Sequence, residues 1–344
     1  MQDNSVTKLL DELSKKDGIT EIIINNPSNI YIERQGDLIR LNTNVNPKDI
    51  IQFCKDIAAF NKTSFNVNSP IIDGNLPDGS RINIISSLYT GSSPAITIRK
   101  YLKSINKFET SPGIFGLSEK WIEFLQILVQ SKCNIIISGG TGRGKTTFLN
   151  LLLQEISRTE RIVTIEDTKE LAFDIPNTVR LFAKSNTFDI ENPLNTRALL
   201  KNTLRMRPDR IIMGEVRGEE AFDLLQAMNT GHDGSMCTVH ATDTVNALSR
   251  LENLFMFAGM DIPLRAVRQQ ISTAVNFVVQ LEKDLDGNRV VSNITEVCNM
   301  EGDTILTQSI AKYTDGEFKF TGVVPKCMAK LNQYGLETNF FIDF

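Results

Sequence analysis

The stretch "GGTGRGKTT", Gly139 to Thr147, constrains this chain more than any other. The apolar run "NIIIS" leads into it and "TTFLNLLL" leaves it, so the glycines occupy a strand-to-helix turn. The spacing G-x4-G-K-T is met by Gly139, Gly144, Lys145 and Thr146, with Gly140, Thr141, Gly142 and Arg143 between and Thr147 behind. Glycines let consecutive backbone N–H groups curl around a phosphate, and a helix N-terminus adds partial positive charge. Lys145 then reaches the outer phosphate oxygens, and the Thr146 hydroxyl is a hard oxygen ligand for Mg²⁺. A fold with a buried strand before this turn and a helix after it is an α/β nucleotide-binding fold. Arg143, where a small residue is expected, either points to solvent or adds charge beside the phosphates.

A second apolar strand, "RIIMGEV", ends in Gly214 where a metal-holding aspartate is expected, and its acid, Glu215, comes one residue late. Gly214 has no side chain to offer a metal. The strand "RIVTIED" supplies the alternative, Glu166 and Asp167, because ligands of open α/β sheets sit at the carboxyl ends of strands. Either acid is placed at a Mg²⁺ shell, through water, and Glu215 beside the γ-phosphate. There it orients the attacking water, or coordinates metal-bound water. The plain alternative is surface pairing of Glu215 with Arg217 and of Glu166 with Lys169. The chain's two histidines, His232 and His240, flank one strand in "GHDGSMCTVHA", which makes His240 a candidate γ-phosphate sensor.

Around these motifs the pattern divides. Residues 1–103 read as a small α+β, PAS-like domain: strands "ITEIIIN", "NIYIERQG" and "DLIRL", the helix "NPKDIIQFCKDIAAF", then strands "SRINIIS" and "PAITIRKY". Residues 104–114 have the composition of a linker. In 115–344, apolar strands alternate with amphipathic helices, which implies a parallel sheet covered on both faces. Beyond residue 274, hairpin turns at "LDGN" and "TDGE" and a terminal helix around "KCMAKLNQYG" are expected. Arg197, Lys201 and Arg205 fall at i, i+4, i+8, a basic stripe that meets either a neighbouring subunit or solvent.

Composition excludes several classes. The formal charge of −4 gives no general attraction to nucleic acid, and no aromatic-plus-basic segment suits base stacking. Five scattered cysteines without a C-x-x-C pair read as reduced thiols, so zinc is not expected. The N-terminus lacks the apolar core of a signal peptide, and no run reaches the roughly 18 apolar residues of a membrane span, so a cytoplasmic location is expected.

"GGTGRGKTT", "IEDTKEL", "RMRPDRIIMGEVRG" and "TGHDGSMCTVHA" resemble, in order and spacing, the Walker A, Asp box, Walker B and His box of secretion traffic ATPases. These serve type II secretion, type IV secretion and type IV pili. The N-terminal "ITEIIINNPSNIYIERQGDLIRL", "DGSRINI" and "AITIRKY" resemble the same family, and the nearest branch is the tight-adherence pilus ATPases, CpaF/TadA. The resemblance implies a RecA-like ATPase core behind the N-terminal domain, ATP and Mg²⁺ as ligands, and a homo-oligomeric, hexameric ring on inner-membrane platform proteins. It implies Lys145 and Thr146 as nucleotide and metal ligands, Glu215 as the catalytic carboxylate, Glu166 and Asp167 as a second acidic site, and His240 as the sensor. It makes Arg81 and Arg99 arginines that reach nucleotide from the N-terminal domain. Two other classes stay open on the residues alone: a nucleic-acid motor, and a nucleotide-gated regulator that barely hydrolyses ATP.

Overall fold

The computed structural model describes residues 4–34, 37–100, 107–109, 113–183, 194–259 and 261–341. Residues 104–106 and 110–112 of the expected linker lie outside these. The chain forms two compact units, the first ending before Ser104 and including Thr168–Glu170, the second holding the remainder of the described chain.

The first unit opens on α1 (Ser5–Ser14), a helix absent from the sequence reading. Asn4 caps it, its side chain accepting from the N–H of Val6 and Thr7, while Thr7 Oγ1 accepts from the Asn4 N–H. Val6, Leu9 and Leu13 form its buried face. Strands β1 (Ile19–Asn26), β2 (Asn29–Arg34) and β3 (Asp37–Leu41) follow, then α2 (Pro47–Phe60), β4 (Ile71–Asn75), β5 (Arg81–Ile85), the short α3 (Ser87–Thr90) and β6 (Ala95–Arg99). α2 starts where Asn46 caps and Pro47 takes the first position, a place that needs no N–H. It buries Ile50, Phe53, Cys54 and Ile57 at helical spacing. The antiparallel sheet, ordered β3-β2-β1-β6-β5-β4, turns Ile22, Ile24, Ile82, Ile84, Ile96 and Ile98 into that core. Alternation sends the intervening residues to the opposite face.

The second unit runs α4 (Glu119–Gln130), β7 (Ile135–Gly139), α5 (Lys145–Leu153), β8 (Ile162–Glu166), β9 (Thr178–Phe182), α6 (Thr196–Thr203), β10 (Arg210–Met213) and α7 (Glu220–Asn229). It continues with β11 (Met236–Val239), α8 (Thr244–Met256), α9 (Leu264–Ala274), β12 (Phe277–Lys283), β13 (Arg289–Glu301), β14 (Thr304–Thr314), β15 (Glu317–Phe320) and α10 (Met328–Leu331). The sheet order is β15-β14-β13-β12-β7-β11-β10-β8-β9. It is parallel from β9 to β12 and antiparallel from β12 to β15, with the expected hairpin turns. In "TDGE" both Asp315 and Gly316 have positive φ, as a two-residue hairpin turn demands. One face carries Trp121, Phe124, Phe148 and Leu152 from α4 and α5; the other carries Leu224, Leu251, Phe255 and Ile271 from α7, α8 and α9.

β9, α8 and α9 had no counterpart in the sequence reading, and the terminal helix shrinks to one α turn plus a 3-10 turn at Asn332–Tyr334. Gly335, in the left-handed region, ends it. The basic stripe is also corrected. α6 ends at Thr203, so Arg205 is off the helix, and Arg197 is half-buried against Glu219 and Asp223 of the α7 start, with Lys201 3.9 Å from Asp223. Two neighbouring carboxylates draw Arg197 inward, where a solvated face was one expectation.

Candidate functional site

Strands β7, β11, β10 and β8 lie side by side in that order, all parallel, so their carboxyl ends form one edge. Gly139 ends β7, His240 follows β11, Gly214 and Glu215 follow β10, Glu166 ends β8 and Asp167 follows it.

The glycines of the loop are required by its backbone. Gly142 and Gly144 have φ of 73° and 88°, and a Cβ on Gly139 would stand 2.8 Å from the Leu281 carbonyl oxygen. Thr141 and Gly142 are exposed, while Thr146 and Thr147 sit half-buried in the first turn of α5. Arg143 does not extend into solvent; it is half-buried, with its Cγ and Nε each 3.7 Å from where a Gly140 Cβ would lie. Lys145 is 8% exposed. Its Nζ donates to the carbonyl oxygens of Gly139 (2.9 Å) and Gly140 (3.0 Å) and lies 3.1 Å from His240 Nδ1.

A lysine ammonium can only donate, so Nδ1 accepts and the imidazole proton sits on Nε2. Nε2 faces Glu215 Oε1 at 2.9 Å. The other Glu215 oxygen accepts from Arg217 Nη2 at 2.6 Å, and Arg217 Nη1 stands 3.5 Å from Asp167 Oδ2. A continuous polar chain therefore runs Lys145–His240–Glu215–Arg217–Asp167 along the strand ends. Burial pushes His240 below its ordinary value of 6.5; Glu215 pulls the other way, and the nearby cations, Lys145 first, add to the lowering. Burial works to raise Glu215, but the Arg217 hydrogen bond and charge outweigh it and hold the carboxyl below its ordinary value. The histidine is thus neutral and the carboxylate ionised near neutral pH.

Glu166 lies inward, 3% exposed, with Oε1 accepting the Leu171 N–H at 2.8 Å. Gly214 makes room for it, since a Cβ there would stand 3.3 Å from Glu166 Cγ. Asp167 is the more exposed acid, and Thr196 Oγ1 donates to it at 3.2 Å. Among the described residues no group of three or more His, Cys, Asp or Glu side chains converges on one point. The donors at this edge, the Thr146 hydroxyl and the Asp167 and Glu166 carboxylates, are hard oxygens of the kind Mg²⁺ takes.

Arg81 and Arg99 belong to the first unit. They are direct cross-strand partners on the face opposite its helices, in one row with Glu21 and Glu33. Arg81 pairs with Asp73 at 3.0 Å and Arg99 is exposed. His232 stands at the other end of β11 from the site, against the Ala227 carbonyl. The sequence reading weighed Arg217 only as a surface partner and missed Thr238, whose Oγ1 donates to the Gly214 carbonyl at 2.7 Å, and Glu220. An acid in the first turn of a helix three residues after Arg217 was the available signal for Glu220.

The family model described as "Type II/IV secretion system protein" matches residues 3–314. The chain belongs to that family. The conjugal transfer protein TrbB of Rhizobium radiobacter is 33% identical over 83% of this chain and 84% of its own. The type IV secretion system protein PtlH of Bordetella pertussis is 32% identical over 79% of this chain and 87% of its own. The crystal structure of the pilus retraction motor PilT with bound ADP aligns over 96% of this chain and 87% of its own, with a TM-score of 0.61 at 18% identity, a likeness of fold. Family membership bears out the resemblance to secretion traffic ATPases and the assignment as an ATPase, and the likeness of fold bears out an N-terminal domain ahead of a RecA-like core. It does not single out the tight-adherence branch.

Proposed function

We propose that this chain is a Mg²⁺-dependent ATPase that powers a type IV or tight-adherence-type pilus, or a secretion apparatus of the bacterial envelope, as a hexameric ring in the cytoplasm on inner-membrane platform proteins. The observation that carries the reading is the polar chain from Lys145 through His240 and Glu215 to Arg217 and Asp167, laid beside a phosphate-cradling loop. Family membership supports the setting.

In this mechanism ATP phosphates replace the Gly139 and Gly140 carbonyls as partners of Lys145, while the backbone N–H groups of the loop hold the β-phosphate. Thr146 and Asp167, with Glu166 behind, would hold Mg²⁺, which would supply positive charge to offset that of the phosphates. Glu215, ionised, orients the attacking water and takes its proton. His240, neutral, transfers its one N–H, on Nε2, from Glu215 to the γ-phosphate and returns it when that phosphate is lost. Arg81 and Arg99 supply guanidinium charge to the phosphates from the first unit, which couples hydrolysis to domain motion.

Phosphate release and binding of a fluorescent ATP analogue test the site. Glu215→Gln retains binding and loses about a hundredfold or more in turnover, the size of a general-base contribution; Lys145→Ala weakens binding itself. Normal hydrolysis by both variants would overturn the assignment. Capture of pilus or secretion platform proteins from membranes tests the setting, and stimulation by single-stranded DNA would replace it with a nucleic-acid motor.

A further inference from the structure

The turn that carries Glu215 from β10 into α7 is pinned from two sides. At its start, Thr238 Oγ1 donates to the Gly214 carbonyl at 2.7 Å and the Val216 N–H donates to the Thr238 carbonyl at 2.9 Å. At its end stands Glu220, the first residue of α7, 8% exposed. One of its oxygens, Oε1, accepts from the main-chain N–H of Arg217 at 2.7 Å and of Gly218 at 2.9 Å. The other, Oε2, lies 3.1 Å from where a Cβ on Gly218 would be, so the turn packs closely over the carboxylate and a side chain there would crowd it. The beginning of α7 is itself fixed, because Arg197 of α6 binds Glu219 and Asp223 on either side of Glu220.

A carboxylate oxygen that accepts two consecutive N–H groups makes charge-assisted bonds and fixes both peptide planes. With peptides 214, 216, 217 and 218 all held, the side chains that extend from the turn toward the strand ends are Glu215 and Arg217, and they meet at 2.6 Å. We infer that Glu220 is a positioning residue for ATP turnover, an inference that rests on the reading of Glu215 under Proposed function. It fixes the Arg217 backbone, through Arg217 the Glu215 carboxylate, and so the place of the attacking water. Glu220 does not touch the reacting atoms. An amide oxygen at the same place accepts the same two N–H groups, so glutamine keeps the geometry. Alanine leaves both N–H groups without their acceptor and frees the end of the turn. A misplacement of about 1 Å near the reacting atoms is enough to cost a large factor in rate.

Full-length Glu220→Ala, Glu220→Gln, Arg217→Ala and the double variant Arg217→Ala/Glu220→Ala test this, with steady-state ATP kinetics and binding of a fluorescent ATP analogue. Glu220→Ala lowers kcat about tenfold or more, the KM for ATP stays within about threefold, and analogue binding is kept. Glu220→Gln restores kcat to within about threefold of the unmodified chain. In the Arg217→Ala background Glu220→Ala costs less than about a further twofold, because the group it positions is gone. A purely structural role predicts otherwise: the two losses multiply, glutamine does not rescue, or kcat and analogue binding fall together in both Glu220 variants. Any of those outcomes, or an unchanged kcat in Glu220→Ala, overturns the inference. Glu215→Gln, run alongside, separates the two levels. If it still turns over ATP, the site reading itself fails; if it is inactive while Glu220→Ala is normal, the positioning role alone fails.

Discussion

At the level of single residues, the site is governed by which groups are charged. His240 accepts from Lys145 and faces Glu215, and burial holds its pKa below 6.5. A histidine lowered in the folded state contributes stability that is present above its ordinary value and lost as pH falls through the lower folded value. Glu215, also lowered, behaves likewise below the carboxylate range. The acid limb of turnover therefore lies below pH 6.5, and NMR titration of the two imidazoles places His240 there. A limb or a His240 midpoint at or above 6.5 would show that burial and the Lys145 charge do not outweigh the Glu215 carboxylate in solution. Gly214 finds its explanation at the same scale. The sequence shows a missing metal ligand, while the packing shows a gap that lets Glu166 turn inward onto the Leu171 N–H. That role was invisible in the sequence because it is a contact between neighbouring strands.

At the level of elements, long periodic segments were legible and marginal ones were not. α2, α4 and α7 carry apolar residues at helical spacing and end at recognisable caps or breaks. β9 escaped because it is an edge strand of uniformly intermediate burial, without the apolar run of β7, β8 and β10. α10 was overextended because a Met-Ala-Lys-Leu run has helix propensity and no local feature stops it after a turn. The foot of β10 is held by a fully buried Arg210, which donates to both Glu160 oxygens at 2.8 and 2.9 Å and to the Val129 carbonyl at 2.8 Å. Arg210→Met removes the buried member of this pair, leaves the half-buried Glu160 with Lys132 at 3.4 Å, and costs about 3 kcal/mol, the low end for breaking a buried pair. Urea denaturation reads this as a lower midpoint at unchanged slope. Arg158→Ala, at the exposed pair with Asp174, leaves the midpoint nearly unchanged. Equal effects of the two substitutions would contradict the burial difference.

At the level of the whole molecule, the described residues form two units, the first with one apolar core and the second with one on each face of its sheet. On the first, Arg81 and Arg99 stand directly opposite each other across β5 and β6, an arrangement that like charges disfavour unless anions offset it. Asp73 and Glu21 supply part of that offset. If these arginines serve the phosphates, Arg81→Ala/Arg99→Ala lowers kcat about tenfold or more, as loss of transition-state cations does, and leaves the thermal midpoint nearly unchanged, because Arg99 is exposed and Arg81 makes only a partly exposed pair with Asp73. Wild-type turnover in that variant would remove the first unit from the chemistry.

By itself the sequence determined the glycine-rich turn between β7 and α5, the acids at two strand ends and the change from an antiparallel α+β to an alternating α/β pattern. These are written in contiguous residues whose spacing fixes local geometry. Only the tertiary structure decided that β11 lies between β7 and β10, which sets His240 between Lys145, 95 residues away, and Glu215. Strand order comes from which apolar faces pack together across the sheet, and no local period encodes it.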